Sequence, residues 1–122
     1  MIVLTHDLLT RFGLSMTATC AGRASQSWGA GATRWNVVVT KGAASLPVDY
    51  KMGSAHTEVG VLDVLACLCS DASSVECYNI DEWCEDFGGK PSMYLKAVEQ
   101  TKAFKALVGD DYDAICEATQ DW

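Results

Sequence analysis

Hydrophobic positions follow two different periods along this chain, and the change of period divides it. From Glu58 to Cys69 the spacing is helical. At about 100° per residue, Val61, Leu62, Val64, Leu65, Ala66, Leu68 and Cys69 cover one broad face, with Asp63 and Ser70 opposite. This predicts a core helix ended by the polar run 71–74. An acidic, Trp-bearing helix should follow, capped by Asn79 or Asp81 and closed by Gly88.

Upstream, the period falls to two. Residues 14–20 alternate apolar and polar, residues 34–41 are β-branched and aromatic, and residues 45–52 place Leu46, Val48, Tyr50 and Met52 on one face. Pro47 on the other face marks an edge strand, and Gly42 begins the turn between the last two runs. Thr5 is suited to cap a short helix through Phe12 that Gly13 stops. The small, Gly-rich stretch 21–33, with Trp28 in it, reads as a mobile loop.

Downstream, Pro91 opens another helix with a stripe of Met93, Ala97, Thr101, Phe104 and Val108. Gly109 should end it, and Asp110 should cap a last helix with Tyr112, Ile115 and Cys116 inward. The expected fold is α+β: a small antiparallel sheet of two to three strands, ordered as a meander, packed against a run of α-helices in a single domain spanning 1–122.

The longest apolar run, within 59–69, is interrupted by Asp63 and is too short for a bilayer. No basic n-region precedes an apolar stretch at the N-terminus, so no signal peptide is expected and the cytoplasm is the expected compartment.

Charge changes the picture more than composition does. Residues 1–57 carry five Lys/Arg against two acids, a net of +3, whereas residues 58–122 carry four Lys against fourteen acids, a net of −10. Such an acidic half disfavours nucleic acid as a direct partner and favours a basic protein surface. The acids cluster at Asp81, Glu82, Glu85 and Asp86 and again at Asp110, Asp111 and Asp113. Asp81 and Glu82 suit a helix N-terminus, but Glu85 and Asp86 oppose the dipole at the other end. Acids at alternate positions around a Gly, as a calcium-binding loop requires, are not the pattern here. The seven acids are the candidate partner-binding residues.

Signatures of catalysis are few. The chain has no phosphate loop, no Gly-x-Ser-x-Gly and no His-Glu-x-x-His. Ser54, His56 and Glu58 alternate and resemble a catalytic set only by residue type. Six cysteines without a secretory signal read as reduced thiols. Cys67 and Cys69 point about 200° apart on a helix, so they do not share a metal ion, and the cysteines are expected to serve as small buried hydrophobes. No cofactor or metal is expected.

Taken together, Leu14–Ala18, Arg34–Val38, Gly53–His56, Leu62–Leu65, Ser70–Ala72, Asp81–Cys84 with Gly88, and Leu107–Tyr112 resemble, in order and spacing, a family of small bacteriophage and prophage proteins. The chain departs from that family at 21–33, where relatives carry an Asn/Pro/Met-containing segment, and after Gly88. What the resemblance implies is a non-enzymatic phage protein, monomer or homodimer, that inhibits a host defence complex. Its sharpest form is an anti-CRISPR protein covering a nucleic-acid-binding surface of a surveillance complex. A phage accessory protein with another viral or host partner is the alternative, as is a small metal-binding or enzymatic protein using His56 or the cysteines.

Overall fold

The computed structural model describes residues 1–23, 32–52 and 59–120. It is α+β and divides into two compact units, Met1–Val64 and Leu65–Trp122. Trp28, Ser54, His56 and Glu58 lie outside the described residues, as does most of the stretch read as a loop.

The first unit holds a four-stranded antiparallel sheet in the order β1 (Ile2–Leu4), β2 (Ser15–Arg23), β3 (Thr33–Lys41) and β4 (Ala44–Met52). The meander is as expected, but there is one strand more. At three residues β1 is too short to show alternation, and it exists through its pairing of Leu4 with Met16 and Ile2 with Ala18. The register aligns the apolar positions in rows: Met16, Val39 and Leu46 form one, and Ala18, Val37 and Val48 the next. All six are buried. A slip of one residue would send every one of them to the opposite face, so burial determines the pairing.

On the opposite face the Arg34 guanidinium forks onto the Asp49 carboxylate at 3.3 and 2.9 Å. Pro47 does lie on an edge strand, where its missing N–H costs no ladder bond. The register between β2 and β3 shifts at Cys20/Gly22, and Gly22 sits at φ 107°, a bulge conformation that a side chain would strain.

Between β1 and β2 lies α1 (Asp7–Phe12), which buries Leu9 and Phe12 and stops at Gly13. Its cap is His6 rather than Thr5: the imidazole Nδ1 accepts from the Leu8 N–H at 3.0 Å. A ring nitrogen two residues upstream of a free helical N–H does the work usually given to a hydroxyl.

Helix α2 (Val61–Cys77) begins in the first unit and continues through the second. The expected end at 71–74 is not there. Ala72 is fully buried on the same stripe as Leu65 and Leu68, and the Ser74 hydroxyl donates to the Asp71 carbonyl at 2.8 Å. Burial carries the helix across residues whose side chains otherwise favour turns.

The second unit continues with α3 (Ile80–Phe87), α4 (Pro91–Val108), a 3-10 turn (Gly109–Asp111) and α5 (Tyr112–Thr119). Asn79 caps α3 as expected, its Oδ1 accepting from the Glu82 N–H at 2.9 Å. Asp71 accepts from the Gln100 amide at 3.4 Å, and Glu76 pairs with Lys105. Both pairs share one sequence offset, so α4 runs alongside α2 in the same direction. The buried stripe of α4 is Thr101, Phe104, Leu107 and Val108. Met93, expected inward, is 52% exposed, and the buried stripe begins only at Thr101. On α5, Ile115 and Thr119 are buried and Tyr112 and Cys116 half-buried. Asp110 belongs to the 3-10 turn, and Asp111 occupies the α5 cap position without a side-chain cap bond.

The cysteines are not the buried hydrophobes expected. Cys20, Cys67 and Cys77 are exposed, and Cys69, Cys84 and Cys116 are half-buried. On α2, Cys67 lies about 120° from the middle of the buried stripe, and Cys69 falls at the stripe's edge.

Among the described residues one buried side-chain polar atom has no partner, the hydroxyl oxygen of Thr101. Thr101→Val removes that desolvated hydroxyl at nearly constant volume and should stabilise the protein by about 1 kcal/mol. The check is the urea midpoint, which should rise without a change in slope.

Candidate functional site

Of the seven acids singled out by sequence, six are exposed: Asp81, Glu82, Glu85, Asp86, Asp110 and Asp113; Asp111 is half-buried. The local reason is plain on α3. Its polar side carries Asp81, Glu82, Glu85 and Asp86, and its other side carries Ile80, Trp83, Cys84 and Phe87. Asp81 and Glu82 occupy the first turn, where the free N–H groups favour negative charge. Glu85 and Asp86 stand near the C-terminal end, and no basic residue occupies the last turn to offset them.

Ion pairing takes up other charges of this unit, through Glu76 with Lys105 and Glu99 with Lys102. Among the described residues, no salt bridge engages Asp81, Glu82, Glu85, Asp86, Asp110 or Asp113.

The structure brings the acids together as two groups rather than one. Helix α3 meets the first turn of α4, with the Trp83 and Tyr94 rings 5.7 Å apart, whereas Asp110, Asp111 and Asp113 follow the far end of α4. From Tyr94 to Val108 the helix rises about 21 Å. A partner that engages both groups must therefore reach along α4.

The sequence pattern did not reveal a groove of about 420 Å³ between α2 and α5. Cys69, Ser73 and Glu76 line it from α2, and Tyr112, Cys116 and Thr119 from α5. Cys69 and Cys116 face the groove as neighbours, and the Thr119 hydroxyl meets the Ile115 and Cys116 carbonyls at 3.1 Å. The Lys105 ammonium lies 4.9 Å from the centre of the Tyr112 ring, a cation–π contact, and that ring also meets Phe104 edge-on at 5.8 Å.

Burial first, and then the neighbouring Cys116, push the Cys69 thiol up to about 12, and burial raises the Tyr112 phenol as well. At neutral pH Cys69 is therefore held as the thiol. The only hint in the sequence was two cysteines on amphipathic helices, a signal that cannot report their meeting.

Among the described residues, no group of three or more His, Cys, Asp or Glu could hold a metal ion, and no helix is long and apolar enough to cross a membrane. No protein-family model, curated protein or solved structure matches this chain.

Stability should fall on the alkaline side. Below pH 9, the ordinary thiol value, folded and unfolded chains both hold the Cys69 proton and the contribution is whole; it is lost as the pH climbs from about 9 toward 12. Melting temperatures recorded between about pH 8 and pH 11 should fall less steeply for Cys69→Ala than for the wild type.

Proposed function

We propose that this protein is a non-enzymatic, phage-encoded inhibitor that binds a host defence complex through the acidic surface of its second unit. The observation that carries the reading is the set of six exposed carboxylates, on α3 and around the start of α5, that no salt bridge among the described residues engages. Placing Glu85 and Asp86 against the dipole of α3 costs stability, and a basic partner would offset that cost.

In its sharpest form the inhibitor is an anti-CRISPR protein, and the partner surface is one with which a surveillance complex holds nucleic acid. Phosphates are the ordinary ligand of such a surface, and the carboxylates on α3 and around the start of α5 offer it charge of the same sign. The resemblance of the chain to phage proteins supports the choice of partner. The net of −10 over residues 58–122 supports its sign.

Tagged protein drawn from cells expressing a CRISPR surveillance complex should retain its subunits at low salt and lose them as salt rises, since exposed charge pairs are screened within about 10 Å at 0.1 M. The double substitution Glu85→Lys with Asp86→Lys should reduce retention at least about tenfold while circular dichroism stays native, because both side chains are exposed. Undiminished retention by that variant removes α3 from the interface. Recovery of other viral or host proteins in place of surveillance subunits makes the protein a phage accessory factor.

A further inference from the structure

Four aromatic rings form a connected strip from Tyr78, just before α3, across α3 to Tyr94 in the first turn of α4. Tyr78 meets Phe87 edge-on with centroids 5.8 Å apart, Phe87 lies 5.3 Å from Trp83 at a 40° tilt, and Trp83 meets Tyr94 at 5.7 Å. Trp83 is held in place by its indole N–H, which donates to the Ser74 hydroxyl at 3.2 Å. It is held also by the bare backbone of Gly89, where a Cβ would lie 2.7 Å from a Trp83 ring carbon.

Rings linked in this way ordinarily close a core. Here none of the four is buried, α3 has no buried residue at all, and Phe87 is 55% exposed. The strip is therefore ordered but half-open, with its pieces already positioned before any partner arrives. Charge borders it directly. Asp86 lies three residues from Trp83, about 60° around α3, and Glu82 lies one turn before Asp86 on the same flank.

We infer that this aromatic strip, with its carboxylate border, is a docking surface for an arginine-bearing segment of a protein partner. The inference rests on the basic-partner reading above and adds which base is recognised and by what contact. A guanidinium is planar and weakly hydrated, so it stacks on a ring face while its N–H fork reaches a neighbouring carboxylate in two parallel bonds. A lysine ammonium offers a point charge to the carboxylates and little to the rings. Nucleic acid and anionic membrane surfaces would be repelled by the same border, and so would a second copy of this acidic face.

Binding of nona-arginine and nona-lysine peptides to the full chain, compared by calorimetry at fixed salt, tests the inference. Nona-arginine should bind roughly tenfold more tightly. Phe87→Leu, which keeps an apolar side chain but removes the ring, should bring the two peptides close to parity, and Phe87→Tyr should keep the preference. Equal affinity of the two peptides for the wild-type protein overturns the arginine inference and leaves the basic-partner reading standing. A preference that survives Phe87→Leu overturns the role of the strip. Failure of both peptides to bind overturns the basic-partner reading together with the inference built on it.

Discussion

Burial of the apolar stripe on α2 is the constraint on which the rest of the second unit depends. Val61 and Val64 belong to the first unit, and Leu65, Leu68 and Ala72 to the second, and all five are buried. Full burial of a Val or Leu side chain stabilises by about 1.5–3 kcal/mol, more than the preference of a few Ser and Asp residues for a turn. The helix consequently runs through 71–74 to Cys77 and delivers Asp71 and Glu76 to Gln100 and Lys105 of α4. The groove lined by Cys69 and Cys116 is a consequence of the same extension, since Ser73 and Glu76 exist as helical residues only because the helix continues.

Stability is unevenly distributed in the second unit. Phe104, Leu68 and Ile115 are essentially excluded from solvent, whereas α3 has no buried residue and is held by its Asn79 cap and the edge contacts of Trp83. An element with few buried contacts sits at the low end of local stability, the end from which binding elements are drawn. Four carboxylates on its polar side and a half-open aromatic strip on the other leave α3 with a rigid cap and two unsatisfied faces. Electrostatic complementarity to a basic surface and stacking on the rings would act there together, one setting encounter rate and the other residence.

Much of the architecture was legible because the local signals agreed with the packing. The β-branched, aromatic run 34–41 and the one-sided apolar pattern of 45–52 reappear as strands of the sheet, with Leu46 and Val48 buried and Pro47 at an edge. Asn79 caps α3, Gly13 and Gly88 close their helices, and Pro91 sits in the first turn of α4. The departures come where a local rule met a nonlocal one. Strand β1 needed β2 to exist, His6 displaced Thr5 because its ring nitrogen reached the free N–H, and Cys67 faces outward because it lies about 120° around α2 from the buried stripe.

For the candidate site, the sequence by itself determined that the acids are there, that Glu85 and Asp86 stand at the wrong end of a helix, and that the charge lies in the second half. Those properties follow from composition and from the fixed period of a helix, which are local. Tertiary structure alone decided that the two acidic groups sit at opposite ends of α4, that Cys69 meets Cys116, and that Tyr78, Phe87, Trp83 and Tyr94 join in one half-open strip. Each joins residues on different elements, and which elements meet is decided by the burial of other side chains elsewhere in the unit.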